Sequence, residues 1–164
     1  MKSAPRTTAP VVIRVLAIAL ALFGVGGCNS YNAKKQVEQG TQSYVKGDYE
    51  SAIAHFQAAL SLDPASKTAR LYLARAYAQQ SMPGVYVNTL DHLRSAQQAI
   101  EQYKALLAQD PQNGTGLKGL GSLYAQIGER DEAREYYKKS VTADPNDPEA
   151  YYFVGMIDWT AVYK

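Results

Sequence analysis

Residues 117–145 read LKGLGSLYAQIGERDEAREYYKKSVTADP. Leu117, Leu120, Gly121 and Tyr124 fall at helical spacing, Ile127-Gly128-Glu129 supplies a turn, and Ala133 and Tyr137 open a second helical stretch. Asp144-Pro145 ends it, because a residue before proline is pushed out of the helical region. The same pattern recurs upstream. Ala52, Ala99 and Ala133 are separated by 47 and 34 residues, and Phe56, Tyr103, Tyr137 and Pro64, Pro111, Pro145 repeat those two steps. Gly40 to Ala74 is 34 residues, Ala74 to Gly121 is 47, and Gly121 to Gly155 is 34 again. The period is therefore 34, with one insertion of 13 residues between Ala74 and Ala99. Ala69, Leu73, Ala76 and Tyr77, then Leu93, Ile100, Tyr103 and Leu107, also fall at helical spacing, so each unit is a helical hairpin. A hairpin of this size cannot bury its own apolar face alone, and stacking is required.

On these residues the chain resembles the tetratricopeptide repeat (TPR) family, whose 34-residue pattern is W-x2-L-G-x2-Y, then A-x3-F, then P. The third unit matches through Leu117, Leu120, Gly121, Tyr124, Gly128, Ala133, Tyr137 and Pro145. The second offers Leu73, Ala74, Tyr77, Ala99, Tyr103 and Pro111, and the first Gly40, Ala52, Phe56, Ala59 and Pro64. The first unit departs from the pattern at Gln36, Gln39 and Ser43, with Tyr44 one position late, so its first helix is expected to pack loosely. The resemblance implies an all-α fold, a TPR-type solenoid of antiparallel helix pairs with three repeats and a C-terminal single helix. The units are residues 33–66, 67–113, 114–147 and a half repeat at 148–164, with the insertion at about 81–94.

The N-terminus carries an address. Lys2, Arg6 and Arg14 precede the eleven apolar residues Val15 to Val25, too short a run to span a bilayer as a helix of about 20 residues. Val25-Gly26-Gly27-Cys28 resembles the lipobox of bacterial lipoproteins, an aliphatic residue and two small residues before the cysteine. This resemblance implies a signal peptide over 1–27, lipidation of Cys28 with diacylglyceryl and palmitate chains, and a tether over 28–32. More than one acyl chain gives stable anchoring where one is marginal. The expected localisation is a bacterial membrane, lipid-anchored and facing the periplasm; Asn29, in place of Asp, favours the outer membrane of a Gram-negative cell. Removal of the first 27 residues leaves 14 basic against 15 acidic side chains, so a general basic surface for nucleic acid is absent.

Candidate chemistry is sparse. A single cysteine excludes an internal disulfide and a four-cysteine zinc site. Gly114-Thr115-Gly116-Leu117-Lys118-Gly119 fits G-x-G-x-x-G, but a dinucleotide site needs a preceding strand, and Leu106 to Pro111 reads as the end of a helix. The glycines are then expected only to weaken their helix, by up to about 1 kcal/mol each. His55 and His92 lack a second His or Cys at metal-ligand spacing. No catalytic residue, metal site or cofactor is expected, and the chain does not read as an enzyme.

What remains is surface. The TPR resemblance implies that the first helices of successive units line a concave groove for a partner segment. By repeat position that groove holds Lys34, Val37, Thr41 and Tyr44, then Leu71, Arg75 and Gln79, then Lys118, Ser122 and Gln126, and finally Tyr152, Met156 and Trp159. Lys34, Arg75 and Lys118 should make it locally positive, beside the aromatic side chains that binding hot spots favour. TPR modules that clamp a C-terminal carboxylate use a Lys and Asn pair on the first unit, where Val37 and Thr41 stand here, which disfavours that mode. Two functions follow from the resemblance. One is a lipid-anchored scaffold or adaptor for protein–protein interactions in the bacterial cell envelope; the alternative is a pilotin-like assembly factor for a type IV pilus or secretion pore.

Two further segments carry expectations. In the insertion, Asn88 and Asp91 suggest a lengthened second helix, with Leu90, Leu93, Ile100, Tyr103 and Leu107 on one face. Met82, Val85, Tyr86 and Val87 give the remaining loop more apolar surface than a solvated turn requires. The C-terminal stretch from Ala150 to Tyr163 is apolar nearly all round, which is the pattern of a buried helix. Packing on the third unit covers one side, and a homo-oligomer through this helix is the simplest cover for the other.

Overall fold

Three short turns of the same construction punctuate the chain. Asp63, Asp110 and Asp144 each donate a backbone N–H to the carbonyl four residues earlier at 2.9 Å, closing a helix, and the next helix starts after a proline-containing turn. Asp48, Ser66 and Asn113 cap the following helices, their side-chain oxygens accepting from the backbone N–H of Ser51, Ala69 and Gly116. Gly47 and Gly128 turn the first and third hairpins at φ 79° and 91°, a region that favours glycine.

The computed structural model describes residues 29–82 and 89–162. Among these residues there are seven helices and no strand: α1 over 29–45, α2 Tyr49–Leu62, α3 Lys67–Gln80, α4 Thr89–Gln109, α5 Gly114–Gln126, α6 Arg130–Ala143 and α7 Pro148–Val162. From α2 onward each helix packs on the next in chain order, and α3 also reaches α5. This is the all-α solenoid of helix pairs, with α7 standing alone at the end.

The alanine and aromatic ladders form the core. Ala52, Ala99 and Ala133 are fully buried, and Phe56, Tyr103 and Tyr137 lie beside them. One apolar cluster joins Phe56, Tyr77, Tyr103 and Leu120 across the first three units; a second joins Ala133, Tyr137 and Ile157 under Phe153 and Val154. In α1, Ala33 and Gly40 are buried and Val37 and Tyr44 pack against the first cluster, at helical spacing. Gln36 faces α2, where its Oε1 is 2.8 Å from His55 Nδ1.

One expected boundary differs. Residues 29–32, assigned to a tether, already belong to α1. Cys28 and the signal segment lie outside the described residues, as do residues 83–88 of the insertion, with Val85, Tyr86 and Val87. The insertion does lengthen its helix: α4 has 21 residues against 14 in α3, so it outruns its partner by about 10 Å. Ser95, buried and donating to Gln80 Oε1 at 2.9 Å, marks where the two part. Leu90 and Leu93 lie beyond that point and are 70% and 55% exposed, so they do not share the buried face of Ile100 and Tyr103.

Candidate functional site: the concave groove

The groove is built where α1, α3 and α5 present their first-helix residues to one side. Tyr44, Arg75, Gln79, Ser122 and Gln126 line a cavity of about 130 Å³, and Met82 closes one edge of it. A neighbouring cavity of about 390 Å³ shares Arg75, Tyr103, Gly119 and Ser122 and extends past Lys118 to Glu149 and Phe153. Six of the thirteen residues placed in the groove by repeat position line these two cavities. Lys34, Val37, Thr41, Leu71, Tyr152, Met156 and Trp159 line neither. Lys34 is exposed on α1 well before Tyr44, and Tyr152 sits edge-on to Phe153 with 65% of its surface exposed. Trp159 is 62% exposed, and with Tyr151 and Met156 it leaves exposed apolar surface on α7 that does not fit a helix buried on all sides.

Arg75 is held in the groove by aromatic rings. Its guanidinium carbon lies 5.7 Å from the centre of the Tyr44 ring and 5.6 Å from that of Tyr72, a cation–π arrangement with two aromatic partners. Tyr44 and Tyr72 are themselves in edge contact at 6.3 Å, and Tyr72 stacks on Phe56. No ion pair links Arg75 to an acid among the described residues.

Lys118 differs. Its Nζ lies 2.7 Å from Asp147 Oδ2 and 2.6 Å from Glu149 Oε2, at the start of α7. Hydrogen bonds with Asp147 and then Glu149 raise its pKa, and the same bond to Lys118 holds the Asp147 carboxyl below the usual carboxylate range. The expected positive face is therefore corrected: two acids already offset Lys118, and Arg75 carries the charge.

Tyr103 enters the groove from α4, a second helix, and the repeat register did not point to it. The signal was Gly119. A Cβ at residue 119 would strike the Tyr103 ring, so the missing side chain is what lets the ring through to the groove side. Burial pushes the Tyr103 hydroxyl up to about 12, so it stays protonated and can donate. Tyr137 is likewise raised to about 12 by burial, with its hydroxyl bonded to Ser122.

The other sequence candidates have structural settings. Gly114 to Gly119 occupies the first turns of α5, and the element before it is the helix α4, not a strand. Among the described residues no group of three or more His, Cys, Asp or Glu side chains could hold a metal ion.

Residues 94–157 match a family model described as tetratricopeptide repeat, and residues 40–81 match one described as TPR repeat. Protein CTR9 homolog of Arabidopsis thaliana is 38% identical over 58 residues, which is 35% of this chain and 5% of that protein. The chain thus matches only about a twentieth of that relative's length. Among solved structures, the first TPR of Spaghetti (RPAP3) bound to the HSP90 peptide SRMEEVD has a TM-score of 0.68 at 19% identity. That match covers 81% of this chain and 95% of that one. The Yersinia enterocolitica type III secretion chaperone SycD, in complex with a peptide of the translocator YopD, has a TM-score of 0.65 at 18% identity, covering 78% and 93%. The shared architecture and the matched repeats together make this chain an all-α solenoid of tetratricopeptide repeats.

Proposed function

We propose that this chain is a lipid-anchored adaptor of the bacterial cell envelope, held to the membrane through Cys28 and binding a segment of a partner protein in its concave groove. The observation that carries the binding half is Arg75, fixed over Tyr44 and Tyr72 and flanked by Gln79, Ser122 and Gln126. A charged side chain already held in place by aromatic rings loses little freedom when a partner arrives. The two solved neighbours above hold peptides of other proteins, which supports a peptide-binding role for the same fold. Val37 and Thr41 stand where a clamp for a C-terminal carboxylate would need Lys and Asn, and both are otherwise engaged. Val37 packs on the core, and Thr41 donates its hydroxyl to the Val37 carbonyl at 2.8 Å.

The anchor half rests on Val25-Gly26-Gly27-Cys28. Among the described residues no helix is long and apolar enough to cross a membrane. A lipid on Cys28 directly before α1 would hold the repeats close to the bilayer surface.

Each half has its own test. Cys28→Ala should move the chain from the membrane to the soluble fraction, and unchanged fractionation rejects the anchor. Arg75→Glu should abolish capture of the main crosslinked envelope partner while leaving fractionation intact. Recovery of one multimeric pore protein as that partner would shift the adaptor reading to a pore assembly factor.

A further inference from the structure

The two cations of the groove differ in what they have left to offer. Lys118 is bonded to Asp147 and Glu149, whereas Arg75 carries five N–H donors in a planar fork and bonds no acid among the described residues. Around Arg75 the remaining polar groups are uncharged: the Tyr103 and Ser122 hydroxyls and the Gln79 and Gln126 amides. The rest of that cavity is apolar, from Tyr44, Ala78, Met82 and Leu123. No acid lines this cavity, and Glu149, which lines the adjoining one, is tied to Lys118.

We infer that the centre of the groove is a receptor for a single carboxylate on an otherwise uncharged partner segment, with Arg75 as its counter-charge and the Tyr103 hydroxyl as a neighbouring donor. The inference rests on the groove-binding reading and gives the partner's chemistry. A charge-assisted pair with a guanidinium is about twice as strong as a neutral hydrogen bond, and in a half-buried site it is screened less than at the surface. A second acid further along would meet Lys118 already paired and the Asp147 and Glu149 carboxylates beside it, so a doubly acidic segment is disfavoured by like-charge repulsion. Tyr44 and Tyr72 hold the guanidinium in place, so a lysine at 75 would keep the charge but lose the stacking and the fork.

Selection of a random-sequence peptide display library on the full chain tests this, followed by affinity measurement of the enriched peptides, each made with a free and an amidated C-terminus. The expected peptides carry one carboxylate among uncharged residues. Arg75→Gln weakens them at least about tenfold, and Lys118→Gln changes them less than about threefold. Arg75→Lys falls between wild type and Arg75→Gln. Binding that survives amidation assigns the carboxylate to an Asp or Glu side chain, and binding lost on amidation assigns it to the chain end. Thermal melts of each variant confirm that the solenoid is intact. Enriched peptides that bind in amidated form with no acidic side chain, or that need two or more acidic side chains, overturn the inference, as does full affinity in Arg75→Gln. Ser122→Trp, which fills the groove, separates the two levels. If it abolishes binding while Arg75→Gln does not, the groove reading stands and the receptor fails; if neither matters, or if no peptide is enriched, both fail.

Discussion

The Phe56 ring occupies the space that a side chain at Gly40 would need. A Cβ there would stand 2.6 Å from Cε1 and 2.8 Å from Cδ1 of that ring. Tyr137 does the same over Gly121, with two ring carbons at 2.9 Å. Both rings are almost wholly buried, so neither has room to retreat. In each case sixteen residues separate the glycine from the ring, and the contact fastens the first helix of a unit to its second.

Gly40→Ala and Gly121→Ala should therefore each destabilise the chain by about 1–3 kcal/mol through overpacking, in spite of alanine's advantage in an open helix. Gly155 is the control, since a Cβ there meets nothing within 4 Å. Gly155→Ala should stabilise by up to about 1 kcal/mol. Urea unfolding of the three variants measures this, and a gain at all three positions would contradict the close-approach account.

Ser140 stands one period after Leu106, and both are fully buried. The Ser140 hydroxyl has no hydrogen-bond partner among the described residues. Ser140→Ala removes a desolvated polar group at little cost in packing, so it should raise stability by about 1 kcal/mol. Unfolding midpoints settle the sign; a loss of stability would show that the hydroxyl is bonded after all.

Acid should loosen the C-terminal end. Hydrogen bonds from Lys118 and from Arg134 depress the Asp147 and Asp158 carboxyls respectively. A carboxyl lowered in the folded state stabilises above its unfolded pKa, and that stability is lost as pH falls through the folded value, here from about pH 4 downward. Asp158 is partly exposed and Asp147 is largely covered, at 14% of its side chain, but both sit at the surface, so the effect is small and reduced by salt. Asp147→Asn combined with Asp158→Asn should flatten the acid limb of stability against pH below that point. Superimposable limbs for variant and wild type would refute the assignment.

The repeat was legible because its ladder residues face the same packing problem in every unit. Ala52, Ala99 and Ala133 lie where helices approach closely, and the Asp-Pro turns end helices by a local backbone effect that sequence displays directly. Groove residues 44, 75, 79, 118, 122 and 126 followed from the same register. Tyr103 did not, because its place in the groove depends on the absent side chain of Gly119 in another unit. The pairing of Lys118 with Glu149 spans 31 residues and joins two helices, which no local pattern reveals. Leu90 and Leu93 misled for a geometric reason: helical spacing put them in line with Ile100, but α3 is too short to carry the core that far. On α7, Ala150 and Ile157 are buried against the third unit while Tyr151, Tyr152 and Trp159 face outward, so composition alone overstated its burial.

Site-specific photo-crosslinking in intact cells tests the central claim, that the concave groove is the partner-binding surface. A photoreactive residue is placed at Ser122, inside the groove, or at Lys139, which is exposed on α6 and lines neither cavity. A discrete protein adduct is expected from position 122 that disappears when Arg75→Glu is added, and no such adduct from position 139. An adduct from position 139 alone, or one at 122 that persists in full with Arg75→Glu, would contradict that claim.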